Sequence, residues 1–179
     1  SVIFSTLLPA FYLINNPDKK ILLSSYSFSL AAEFAYKVRN ILQNNQLMDF
    51  TKNELANFEN SQGGGLFSAG VGGSITGKGA SLLILDDPIK NMEEAQSKVM
   101  RDKTYEWFNS TFLTRAEPNA NIVVIQTRWH KDDLVGRLLR EQTPIWTEIK
   151  FPAIAIEKDA IGRNPGEPLW SERYDLSAL

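Results

Sequence analysis

Leu82-Leu83-Ile84-Leu85-Asp86-Asp87-Pro88 decides how the chain is read: four consecutive apolar residues end abruptly in two carboxylates and a proline. A run without polar alternation suits the buried strand of a parallel sheet covered on both faces, where side chains meet protein whichever way they point. The carboxylates then emerge at the C-terminal end of the strand, the edge where open α/β sheets bind ligands. Mg²⁺ favours one or two protein carboxylates completed by waters and phosphate oxygens over an all-protein cage, so two adjacent acids there can divide the labour. Successive strand side chains point to opposite faces. This assigns Asp86 to the metal and Asp87, at the strand exit, to orienting or deprotonating an attacking water. The same residues also suit a plain acidic turn after a core strand, closed by Pro88.

Composition narrows the setting. With 179 residues and 43% hydrophobic content, the chain can bury one sizeable core. A formal charge of -2 creates no general attraction to phosphate, so any nucleic-acid contact requires a local basic surface or a further part of the protein. The absence of cysteine excludes disulfides and thiolate metal sites. The apolar stretch Val2 to Ile14 is interrupted by Ser5, Thr6 and Pro9 and has no basic leader. It is too short to span a bilayer, and a cytosolic protein is expected.

Outward from the acidic strand, helix and strand patterns alternate as in an α/β domain. Residues 1 to 14 read as a helix with no preceding strand or cap, and Pro9 bends it or marks a break; an upstream strand is expected outside the chain. Asn16-Pro17-Asp18 makes a turn into a strand over Ile21 to Tyr26 that ends in hydroxyls. Ser29 caps the next helix, whose Ala31, Phe34, Ala35, Val38, Ile41 and Leu42 form a core stripe. Asn44 to Asn60 reads as a surface loop with some helix. Beyond the acids, Asn91 and Glu94 resemble a capping box opening a helix with Val99, Met100, Trp107 and Phe108 on one flank. The two aromatics suit core better than a stacking platform. Asn121 to Gln126 reads as a second buried strand, which leaves Thr127-Arg128-Trp129-His130 at the ligand edge. Gln126 and Thr127 there suit sensing of a γ-phosphate, and Arg128 suits pairing with phosphate or with an acid of the edge; an ordinary strand-to-helix turn fits equally. Asp132 caps the helix that follows, with Leu134, Val135, Leu138 and Leu139 inward. His130, the only histidine, suits a hydrogen-bonding turn residue better than a metal ligand or catalyst.

Gly72 through Lys78 satisfies G-x-x-x-x-G-K, yet Gly79 stands where a phosphate loop needs Ser or Thr. A phosphate loop must also feed a helix whose amides hold the phosphates, whereas this segment runs into Leu82. A strand and flexible turn preceding a Walker B strand is the better reading. Lys78 can still approach phosphate from a neighbouring subunit.

Four segments together resemble one family: Leu22 to Ser27; G-x-G-G-S-I-T-G-K-G-A-S-L-L-I-L-D-D-P-I-K-N from Gly70 to Asn91; V-V-I-Q-T-R-W-H-K-D-D-L-V-G-R-L from Val123 to Leu138; and Phe151 to Ala155 through Gly162 to Trp170. Their order and spacing are similar to the ATPase domain of phage terminase large subunits, DNA-packaging motors with an N-terminal ATPase and a C-terminal nuclease. The resemblance implies a three-layer RecA-like (ASCE) P-loop NTPase sheet, largely parallel, lacking its first strand and Walker A loop. It implies a partial ATPase core over 1–151 and an extension over 152–179 toward a nuclease. It makes Asp86 the Mg²⁺ ligand and Asp87 the catalytic carboxylate for ATP. Ser1 becomes the final Ser of a Gly-Lys-Ser and binds the nucleotide's metal in the intact protein; Lys78 becomes a trans-acting finger, and Gln126, Thr127 and Arg128 fall on the coupling segment. The implied partners are double-stranded DNA, a portal protein, a small terminase subunit and further copies in a ring, in the cytoplasm of a bacterial host. Without the phosphate cradle, the 179-residue chain alone is expected to be an inactive ATPase. Two other classes remain: a superfamily 2 helicase fragment, for which no second motor lobe fits after residue 150, and a prophage remnant or interaction module that keeps the fold without the chemistry.

Overall fold

The computed structural model describes residues 2–75, 77–141, 145–159 and 161–174. Two compact units divide the chain, Ser1–Glu141 and Gln142–Leu179. The first holds a six-stranded sheet in the order β2-β3-β4-β1-β5-β6. Its strands are β1 Lys20–Ser25, β2 Phe50–Asn53, β3 Asn57–Asn60, β4 Gly65–Gly70, β5 Ala80–Asp86 and β6 Ala116–Ile125. β4, β1, β5 and β6 run parallel, whereas β3 is antiparallel to β4 and β2 to β3. The unbroken apolar run thus lies in β5, between β1 and β6, buried on both faces as expected.

One face of the sheet carries Ile21, Leu23, Leu82 and Ile84. They pack with Ala10 and Leu13 of α1 (Leu8–Asn15) and Ala31, Phe34, Ala35, Val38 and Leu42 of α2 (Phe28–Asn44). Each fully buried Leu, Ile or Val among them contributes about 1.5–3 kcal/mol. Leu22, Leu83 and Leu85 point the other way and are buried too. Ser27, two residues before the expected cap, closes the start of α2 by accepting from the Leu30 amide; Ser29 lies inside the helix and its hydroxyl meets that of Ser27.

Pro9 shapes the first helical segment. It has no N–H to give the Ser5 carbonyl, and its ring crowds that oxygen. The chain before it widens into a π-helical turn, Ile3–Leu7, in which the Leu8 amide reaches back to the Ile3 carbonyl, and α1 begins with proline in its first turn. The wide turn places Ser5 and Thr6 together on the buried side. Val2, Ile3, Leu7, Phe11 and Ile14 form an exposed apolar outer face.

Several expectations are corrected. Asn44 to Asn60 contains β2 and β3; Phe58 is fully buried and meets Phe50 edge-on, a pairing hidden by four-residue strands. Gly65 lets β3 approach β4, since a Cβ there would stand 2.1 Å from the Phe58 carbonyl oxygen. The helix after Asn91 is two: α3 (Met92–Gln96), capped by Asn91, and α4 (Lys98–Trp107), capped by Ser97. The break at Ser97 rotates Val99 and Met100 to the surface, while Trp107 and Phe108 are core and stack around Phe112. β6 starts earlier than expected and lies at the sheet edge, so Ile122 to Ile125 are only partly covered. Its register shifts near Asn119, a residue with φ +64°, consistent with a bulge. In α5 (Leu134–Glu141) Leu134 and Leu138 are buried.

Within the second unit, Ile154 and Pro168 form an antiparallel bridge. Arg163, buried, ties this turn together through Asp159 and the Pro152 carbonyl. No helix among the described residues is long and apolar enough to cross a membrane.

Candidate active site

β5 ends at Asp86, in register with Ser25 of β1 and Ile125 of β6. The carboxylate is 2% exposed. Ser5 of the π turn, itself fully buried, donates to Asp86 Oδ2 at 2.5 Å.

Asp87 leaves the strand with φ +44°, a left-handed conformation that Asp tolerates better than most residues. Its backbone binds both neighbouring strands: the amide donates to the Ile125 carbonyl at 2.8 Å, and the carbonyl accepts from the Tyr26 amide at 3.0 Å. Its side chain accepts from the Thr127 amide at 3.2 Å. One residue thus laces the ends of β1, β5 and β6. Burial pushes the Asp87 carboxyl above the usual carboxylate range; the Thr127 amide opposes this, and the Asp86 charge adds to it. Such a carboxylate is a stronger base than a solvated one.

Asp87, Gln126, Thr127, Trp129 and Asp133 line one small cleft at this rim. A larger cavity, about 230 Å³, lies among Leu13, Pro17, Leu47, Met48 and Asn60, away from both acids. The structure therefore brings Asp86, Asp87, Gln126 and Thr127 together. Arg128 is engaged with Asp133, Nε to Oδ2 at 2.7 Å. Asp133, rather than Asp132, caps α5 by accepting from the Gly136 amide at 2.8 Å. Asp132 instead accepts from Arg137 and Arg140, and Arg137 also reaches Asp102 of α4. The Arg137 guanidinium holds the Asp132 carboxyl well below the ordinary carboxylate range. His130 Nδ1 accepts the Asp132 amide, a turn bond.

Lys78 is elsewhere. It precedes the first residue of β5 while Asp86 is the last, a separation of roughly 20 Å at about 3.3 Å per strand residue. Its ammonium pairs with Glu59 at 3.3 Å and lies over the Phe67 ring. Among its described residues the glycine-rich segment forms β4 and a turn at Val71 to Gly73, with no helix before β5. Trp107 Nε1 donates to the Gly73 carbonyl at 2.9 Å, tying that turn to α4. Ser1 lies outside the described residues. Sequence reasoning missed Ser5 and Asp133; the signal for Ser5 was a polar pair inside an otherwise apolar helix.

The donors at the rim are all oxygens, a carboxylate pair and a hydroxyl. Among the described residues no group of three or more His, Cys, Asp or Glu could hold a metal ion. This set fits a hard cation completed by waters and phosphate oxygens, as Mg²⁺ prefers, and offers nothing to a soft one.

A family model described as terminase large subunit, T4likevirus-type, N-terminal, matches residues 1–177. The crystal structure of the HK97 bacteriophage large terminase superposes with a TM-score of 0.50 at 16% identity, covering 77% of this chain and 30% of that one. That likeness supports the fold: a mostly parallel α/β sheet shared with that large terminase. No curated protein matches the sequence. With the family model spanning nearly its whole length, the chain belongs to the N-terminal family of T4-like terminase large subunits.

Proposed function

We propose that this chain is part of the ATPase motor of a terminase large subunit, which in the intact protein couples Mg-ATP hydrolysis to packaging of double-stranded DNA into a procapsid. One observation carries the reading: adjacent carboxylates stand at the C-terminal end of the interior strand β5, one buried and held by a hydroxyl, the other raised in pKa and laced across three strand ends.

Bound Mg²⁺ supplies neutralisation of the charge that develops on the phosphate oxygens. Asp86 provides the carboxylate that would hold it. Asp87 orients a water and accepts its proton; because Asp is one methylene shorter than Glu, it acts at close approach or through a bridging water. The Thr127 amide bonds the Asp87 carboxylate, so displacement of the Gln126-Thr127 segment moves the base. That gives coupling a physical route from the phosphate state to β6 and onward to α5. Arg128 contributes by holding Asp133 at the start of α5. Lys78, at the far edge, serves only toward a neighbouring subunit in a ring. DNA, portal protein and small subunit are contacts of the assembled motor in the bacterial cytoplasm, and cleavage belongs to the rest of the intact protein. The family match leaves the helicase alternative without a supporting observation.

The test is Mg²⁺-dependent ATP hydrolysis by the protein of the intact reading frame, compared with Asp86→Ala and Asp87→Asn. Each substitution is expected to lower the rate by about 100-fold or more, the scale of general-base and metal contributions. Activity that survives both changes would overturn the reading.

A further inference from the structure

We propose that Ser5 is a positioning residue for Asp86: its hydroxyl fixes the carboxylate in the orientation that receives Mg²⁺, and the π turn ahead of Pro9 presents it. The inference rests on the ATPase reading above.

The contact is local in space and remote in sequence. Ser5 Oγ and Asp86 Oδ2 are 2.5 Å apart, 81 residues separate them, and both side chains are buried. A carboxylate rotates about its last side-chain bond over a broad range unless something holds it. A hydrogen bond to one oxygen removes that freedom, and a charged acceptor makes the bond a strong one. Partners of this kind around metal-binding carboxylates orient them and tune affinity.

Neighbourhood alone does not produce the bond. The Ser25 hydroxyl, in register with Asp86 one strand away and hence on the same face, is buried and makes no hydrogen bond. Ser5 succeeds because of its helical register. Pro9 forbids the α-type bond to the Ser5 carbonyl, the turn Ile3–Leu7 opens to π, and Ser5 is directed at the end of β5. Isolated π turns occur often at functional sites, and this one delivers a polar side chain that an unbroken α-helix would place differently.

The experiment is a Mg²⁺ titration of two readouts on the protein of the intact reading frame, equilibrium binding of a fluorescent non-hydrolysable ATP analogue and ATP hydrolysis, with Ser5→Ala, Ser5→Cys, Ser24→Ala and Asp86→Ala beside the parent. Ser5→Ala is expected to raise the half-saturating Mg²⁺ concentration by about 10-fold, the lower end of what losing an outer partner costs a metal site. KM for ATP at saturating Mg²⁺ should change little. Ser5→Cys keeps the volume and weakens the donor; it should show the same rise, and it carries the test if Ser5→Ala does not fold. Ser24, adjacent to Ser25 and so on the opposite face, is also buried without a hydrogen bond. Its alanine variant should leave the Mg²⁺ requirement within about 2-fold, as expected of a residue with no contact to the metal's ligand. The proposal is overturned if Ser5→Ala and Ser5→Cys keep the parental Mg²⁺ requirement while Asp86→Ala is inactive. It is equally overturned if Ser24→Ala shifts the requirement as much as Ser5→Ala. Persistent activity in Asp86→Ala is a separate result that removes the ATPase reading itself.

Discussion

Asp87 combines a left-handed backbone, a desolvated charge and a hydrogen bond to the Thr127 amide, and replacing it separates the three. In Asp87→Asn the amide oxygen can still accept from Thr127 and Asn tolerates positive φ. The cost of half-burying a charge disappears, while a charge-assisted bond becomes a neutral one about 1 kcal/mol weaker. These nearly cancel, so stability should change by no more than about 1 kcal/mol, or about 2–4 °C in Tm for a chain of this size. Asp87→Ala keeps the left-handed backbone without the polar side chain that eases it, at about 1 kcal/mol or more. It also loses the acceptor, at about 1 kcal/mol, for a total near 2–3 kcal/mol and a fall of about 4–12 °C. The pH dependence has a definite sign. A carboxyl raised in the folded state binds its proton more readily there than in the unfolded chain, so stability falls as pH rises from the ordinary carboxylate value through the raised one. Asp87→Asn removes that component. Thermal unfolding followed by circular dichroism across pH 4 to 8 measures both effects. Equal stability of the Ala and Asn variants, or an unchanged pH profile in Asp87→Asn, would refute the reasoning.

Gly136→Ala should destabilise the protein by roughly 1–3 kcal/mol, as overpacking does, because the new Cβ would stand 2.2 Å from the Lys131 carbonyl oxygen; urea unfolding measures it. Arg137→Met removes the chief partner of Asp132 and a partner of Asp102, whose carboxyls are held below the ordinary range. Their stabilisation is present above the ordinary carboxylate pKa and lost as pH falls through the depressed values. The variant should be less stable at neutral pH and show a weaker acid dependence, as followed by unfolding at pH 3 to 7. The outer face of the N-terminal helix, with Leu7 49% and Phe11 66% exposed, is expected to drive self-association of the 179-residue chain. Leu7→Glu with Phe11→Lys should lower the mass found by light scattering.

β5 was legible because four apolar residues ending in two acids leave few alternatives, and the stripe of α2 was legible because its helical spacing is regular. β2 and β3 were not: each is four residues long, too short for periodicity, and their pairing depends on Phe58 finding Phe50 and on Gly65 admitting a close backbone. Asp132 and Asp133 are both good caps locally; only the packing of Arg137 and Arg140 onto Asp132 assigns the cap to Asp133. Within the site, Asp86 and Asp87 followed from strand periodicity, and the gathering of Gln126 and Thr127 followed from parallel strand ends. The lacing of Asp87 to Tyr26, Ile125 and Thr127 depends on strand order, which no local pattern encodes. Ser5 was visible only as an anomaly, a polar residue in an apolar helix, until the fold placed the end of β5 against it.

The most direct measurement is a crystal structure of the protein of the intact reading frame with Mg²⁺ and a non-hydrolysable ATP analogue. A metal about 2.0–2.1 Å from an Asp86 oxygen or from a water that Asp86 holds, with the Asp87 carboxylate facing the γ-phosphate, is the predicted result. A metal and triphosphate seated away from the C-terminal end of β5 would contradict the account.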